Sequence, residues 1–101
     1  LLLAGVSHAQ VARVGAWTTG LTHTAGTGSN RLLVFTVGYE NATTDVGVTA
    51  VTYGGQALVR RVGEAAGTTT FARAEIWTLS QAGIAAATGN TFVVTWGGTA
   101  P

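Results

Sequence analysis

At 101 residues the chain has room for one domain and one core, and half of it is 18 Thr, 17 Ala and 15 Gly. Five Arg scattered at 13, 31, 60, 61 and 73 against four acids, with no Lys, give a net charge of +1 and no basic stripe, which argues against a nucleic-acid partner. The lack of Cys removes disulfides, thiolate metal sites and thiol nucleophiles together.

Charge keeps small monomers dispersed, and only 9% of this chain is charged. Such a surface suits being covered by copies of itself. No stretch approaches the roughly 20 apolar residues of a membrane-spanning helix, so no membrane span is expected. Leu1 to Val6 nevertheless read as the tail of an apolar leader, and Ser7-His8-Ala9 place small residues where a signal peptidase cuts. Residues 1–14 are therefore set apart as an apolar N-terminal segment and possible donor strand, ahead of a β domain over 15–101.

Period-2 runs bounded by Gly, Asn, Asp and Thr clusters dominate the rest, and nothing long reads at a helical period. Gln10–Thr18 is expected as a first strand and Leu21–Thr24 as a short second. Arg31–Tyr39 (RLLVFTVGY) is nearly all apolar, which predicts a strand buried at the centre of a sheet. Glu40–Asp45 reads as a polar loop, and Val46–Tyr53 alternates as a strand.

Gly54-Gly55 predicts a primed two-residue turn, since glycine adopts positive φ without strain, with Gln56–Val62 as the return strand. Gly63–Thr69 is expected as a loop, Phe71–Leu79 as a strand and Gln81–Ala87 as one helical turn. A final strand carries Phe92, Val94 and Trp96 on one face. About seven short strands at roughly ten-residue spacing predict an all-β, antiparallel β-sandwich of jelly-roll or Ig-like type, with an extended N-terminal strand. The expected core is Leu33, Phe35, Val37, Val51, Tyr53, Trp77, Leu79, Phe92, Val94 and Trp96. With no strand expected after Trp96, one sheet edge should lack a partner.

The blocks Gly28-Ser29-Asn30-Arg31-Leu32-Leu33-Val34, Val51-Thr52-Tyr53-Gly54-Gly55-Gln56-Ala57-Leu58 and Glu75-Ile76-Trp77-Thr78-Leu79 occur in that order. Together they resemble β-sandwich modules of large secreted bacterial surface proteins, over roughly residues 21 to 97. Those modules have no established activity, so the resemblance implies a fold and a location but no chemistry.

The residues themselves offer little catalysis. Ser29, His23 and Asp45 are the parts of a triad, but no nucleophile-elbow motif surrounds a serine. Glu40, Asp45, Glu64 and Glu75 do not form a recognisable glycosidase pair. The Glu40–Asp45 loop has oxygens that suit calcium, but two carboxylates in a loop are more often a solvated turn, and a transition metal on His8 and His23 lacks ligand spacing. No metal or cofactor is expected, and no enzyme. Asn41-Ala42-Thr43 is an N-glycosylation sequon on a polar loop. Trp77 and Trp96 share parity with core residues, which leaves Trp17 as the candidate for stacking on a sugar. Arg60 and Arg61 are expected at a solvated rim or paired with Glu64 or Glu75.

The sequence thus points to a structural subunit of an extracellular or cell-surface filament or other polymer, a homo-oligomer built by strand addition. Its assembly residues are expected to be Leu1, Leu2, Leu3, Val6, Val11 and Val14. The alternative is a monomeric carbohydrate-binding or adhesion module, with glycans as partners.

Overall fold

A computed structural model describes residues 10–42 and 44–101. It is β-rich with one short helix: β1 Leu33–Asn41, β2 Val48–Tyr53, β3 Gln56–Ala57, β4 Val59–Ala66, β5 Phe71–Leu79, α1 Gln81–Ala86 and β6 Phe92–Trp96. The strands form two antiparallel sheets, ordered β1-β5-β4 and β3-β2-β6.

β5 is the central strand of its sheet because it can be lined on both sides. It pairs with β1 in unbroken register from Leu33↔Leu79 to Asn41↔Phe71. On its other side it pairs with β4, whose register shifts between Arg60 and Val62 where Arg61 is an extra residue. The alternation of β5 turns Phe71, Arg73, Glu75, Trp77 and Leu79 toward the second sheet.

Gly54 and Gly55 have φ of 52° and 83°, both positive as a primed turn requires. The hairpin they close is short, with only Thr52↔Ala57 and Tyr53↔Gln56 paired. The chain then bends at buried Leu58, which donates its N–H to Val51 O at 2.9 Å, and continues into the other sheet as β4. One long run thus turns a corner between the sheets.

The core holds Leu33, Val48, Val51, Tyr53, Leu58, Trp77, Leu79, Ile84 and Phe92. Both sheets contribute, and α1 adds Ile84 at one end. Burying each such side chain is worth about 1.5–3 kcal/mol before ordering costs. Phe92 lies between two rings, 4.5 Å from Phe35 and 4.8 Å from Tyr53 by centroid.

Several expectations need correction. The described residues contain six strands, not about seven, because Gln10–Thr18 pairs with nothing and Leu21–Thr24 makes only the isolated bridge Thr22↔Thr91. Gly15 and Gly20, at φ of 77° and 85°, interrupt the extended conformation there. The apolar run after Arg31 forms an edge strand and not a central one, and its off-core residue Leu32 is exposed. The return strand divides into β3 and β4, and β4 extends to Ala66 through the expected loop. Finally, Phe35, Val37, Val94 and Trp96 pack on the core but are only half-buried.

Candidate functional site

The four half-buried core residues lie together. β1 and β6 are the flanking strands on the same side of the molecule, as the Phe35–Phe92 stack and an edge-on contact between Tyr39 and Trp96, 4.9 Å between centroids, show. No element among the described residues covers that side beside Phe35, Val37, Val94 and Trp96. Their partial exposure follows from the missing cover.

The backbone of β6 shows which groups are open. Thr91 O accepts from Gly54 N at 3.1 Å, Thr95 O accepts from the Thr49 hydroxyl at 3.2 Å, and Gly97 N donates to Gly47 O at 3.0 Å. Odd positions therefore face β2, and even positions face outward. Phe92 N donates outward to Leu21 O at 2.8 Å, and beside it His23 N donates to Asn90 O at 3.0 Å. Beyond Phe92, no strand among the described residues pairs with the outward groups of Val94 and Trp96.

The segment that could have continued along this edge turns away. Upstream of Leu21 the chain doubles back at Gly20, so that Thr18 Oγ1 lies 2.7 Å from His23 Nδ1 and Val14 packs against Gly26. Residues 10–18 bury no side chain and make no backbone hydrogen bond to the other described residues. Val11, Val14 and Trp17 are exposed, Trp17 at 63%.

A second cluster is polar and internal. Glu75 is 1% exposed, and its Oε2 accepts Val48 N and Arg73 Nε, each at 3.0 Å. Its Oε1 accepts Trp77 Nε1 at 3.2 Å and lies 3.7 Å from Arg60 Nη1. Arg73 also holds Asp45 at 2.8 Å. The Tyr39 hydroxyl donates to Asp45 Oδ1 at 3.2 Å and accepts Gly47 N. Burial raises the Tyr39 pKa above 10.0, opposed by the Gly47 N–H bond and reinforced by Asp45. Burial works against the Arg73 cation, but Glu75 and Asp45 outweigh it and raise its pKa further. With both Glu75 oxygens occupied and no nucleophile bonded to it, this cluster ties the sheets together.

The remaining predicted residues are dispersed. Leu1, Leu2, Leu3, Val6 and His8 lie outside the described residues. His23 meets Thr18 and Asp45 meets Arg73 and Tyr39, so no hydrogen bond joins either to Ser29. Asn41 ends β1, where its Oδ1 accepts Thr44 N at 3.4 Å. No group of three or more His, Cys, Asp or Glu gathers among the described residues. Open depressions of about 420 Å³ beside His23 and about 450 Å³ between Arg31, Tyr53 and Asn90 carry no such group either.

Arg60 does reach Glu75, as one expected pairing had it, whereas Arg61 bonds the Thr78 hydroxyl at 2.9 Å. The Asp45–Arg73–Glu75 cluster was not foreseen. Its signal is the shared parity of Arg73 and Glu75 with Phe71, Trp77 and Leu79. No family model, curated protein or solved structure matches this chain.

Proposed function

We propose that this chain is a non-catalytic structural subunit of an extracellular or cell-surface polymer, an incomplete β-sandwich of jelly-roll or Ig-like type completed by strand addition between copies. The observation that carries the reading is the open side between β1 and β6, where apolar residues are half-buried beside the backbone of Val94 and Trp96, whose outward groups have no partner among the described residues. Unpaired strand edges are templates for another strand, whose backbone bonds the edge while alternate side chains fill the core.

Two further features support it. The apolar 10–18 segment is exposed and makes no backbone hydrogen bond to the other described residues. The leader-like start and the resemblance to secreted surface modules suit an extracellular location. A head-to-tail contact of this kind does not close on itself, and therefore grows a fibre.

Analytical ultracentrifugation and negative-stain imaging of the 101-residue chain test the reading. Large regular particles are expected, and deletion of residues 1–18 should leave a folded subunit that no longer polymerises. A chain that stays monomeric at high concentration overturns the proposal. If such a monomer also bound glycans, with the Trp17 emission shifting on binding, the adhesion-module reading would take its place.

A further inference from the structure

We infer that the acceptor is specifically the side between β1 and β6, and that its occupant is the 10–18 segment of a second copy of this chain. This rests on the strand-addition reading and adds which edge and which segment are joined.

The edge already accepts this chain's backbone at one end. Phe92 N bonds Leu21 O, His23 N bonds Asn90 O, and Thr22 bridges Thr91. Past Phe92 the same row of outward groups has no backbone partner among the described residues. The side chains turned inward along the two edges are Leu33, Phe35, Val37 and Tyr39 on β1, and Phe92, Val94 and Trp96 on β6. None is charged and none is Pro, so this side lacks the usual protection against strand pairing.

The opposite side of the molecule is protected. There β4 carries a register shift at Arg60 and Val62, and Arg60 reaches inward toward Glu75. Its other positions facing β5's inner row are Gly63 and Ala65, which offer an incoming strand little apolar surface. Bulges and inward charges are devices that keep an edge single.

The segment suits the vacancy. Nine residues, 10–18, match the nine of β1, and once Gly15 leaves its φ of 77° for an extended conformation they span about 30 Å. Val11 and Trp17 lie on one parity, with Ala12, Val14 and Ala16 on the other, and Arg13 is the only charge. In its own subunit the segment is carried away from β6 by the turn at Gly20 and runs beside residues 22–26. A second copy has no such constraint on its approach.

Two full-length chains test this, one altered at the acceptor and one at the donor. Val94→Pro removes an N–H that faces outward, so pairing with β2 is kept while addition is blocked. Val94→Lys is a second acceptor variant, whose stem lies in the open side while its ammonium reaches water, until a donor strand covers it. V11D, V14D and W17D combined place carboxylates on both faces of the donor. Thermal melts close to that of the unaltered chain establish folding.

Neither altered chain should polymerise alone, and an equimolar mixture should sediment as a 1:1 complex. If either acceptor variant folds and still forms the unaltered polymer, the β1–β6 side is not the acceptor. If the donor variant still polymerises, 10–18 is not the occupant. Either result overturns this inference and leaves strand addition standing. An unaltered chain that never assembles removes the underlying reading, and this inference with it.

Discussion

Glu75 of β5 accepts the backbone N–H of Val48 of β2 at 3.0 Å, so a buried carboxylate bonds one sheet directly to the other. A charge in a core is costly unless its partners replace water. Here Arg73 and Trp77, its neighbours on the same strand face, supply two more hydrogen bonds, and Arg60 supplies a more distant charge.

Replacing Glu75 by Ala leaves Arg73 without its buried partner and leaves the Val48 and Trp77 N–H groups without acceptors. We expect a loss of about 3–5 kcal/mol, a large share of the roughly 5–15 kcal/mol of a typical domain. Glu75→Gln keeps one acceptor oxygen and should lose less. Urea denaturation measures both. A cost below about 1 kcal/mol for the alanine variant would show that the cluster does not hold the sheets together.

The two strand tryptophans should differ, although their sequence contexts are alike. Trp77 is 6% exposed and donates to Glu75, whereas Trp96 is half-buried at the open side against Tyr39. Trp77→Ala should cost about 3–5 kcal/mol. Trp96→Ala should cost about 1–2 kcal/mol, since part of its surface is already in water. Denaturant midpoints of dilute, unassembled protein give the comparison, and equal losses would contradict an open side.

How far the sequence revealed this depended on the range of the interactions. β5 was legible to its ends because its alternation is strong, and the Gly54-Gly55 turn because positive φ selects for glycine locally. The edge position of β1 was not legible. Central strands are marked by apolar residues on both faces, and exposed Leu32 with half-buried Val34 imitates that mark. The bend at Leu58, which sends one run into two sheets, depends on contacts distant in sequence. At the candidate site, the apolar N-terminal segment was readable as composition, but the open edge was visible only once β6 had a neighbour on one side and none on the other among the described residues.

The two glycines of the hairpin should respond unequally to substitution. A Cβ on Gly54 would meet Ala87 Cβ at 2.8 Å and Thr88 N at 2.9 Å, while one on Gly55 would meet nothing within 4 Å. Gly55→Ala therefore carries only the left-handed backbone penalty of about 1–2 kcal/mol. Gly54→Ala adds a clash and disturbs the bond from Thr88 N to Gly54 O, so it should lose more. Melting temperatures of the two variants decide the order, and a Gly55 variant that is the less stable would contradict this turn geometry.

Alkaline pH should weaken the fold through Tyr39. Burial raises its pKa above 10.0, so the phenol ionises less readily in the folded chain than in the unfolded one. That contribution to stability is fully present below pH 10.0 and is lost as pH rises through the raised, folded value, because the unfolded chain releases its proton first. Arg73, shifted upward as well, remains a cation across this range and continues to hold Asp45. Tyr39→Phe removes both the titrating group and the acceptor for Gly47 N, so the variant should be less stable at neutral pH. The difference in melting temperature between the two chains should then shrink as pH passes 10.0, while the phenolate absorbance of the unaltered chain keeps one component titrating above that value. A difference that stays constant through the alkaline range would show that the Tyr39 hydroxyl is as free to ionise in the folded chain as in water.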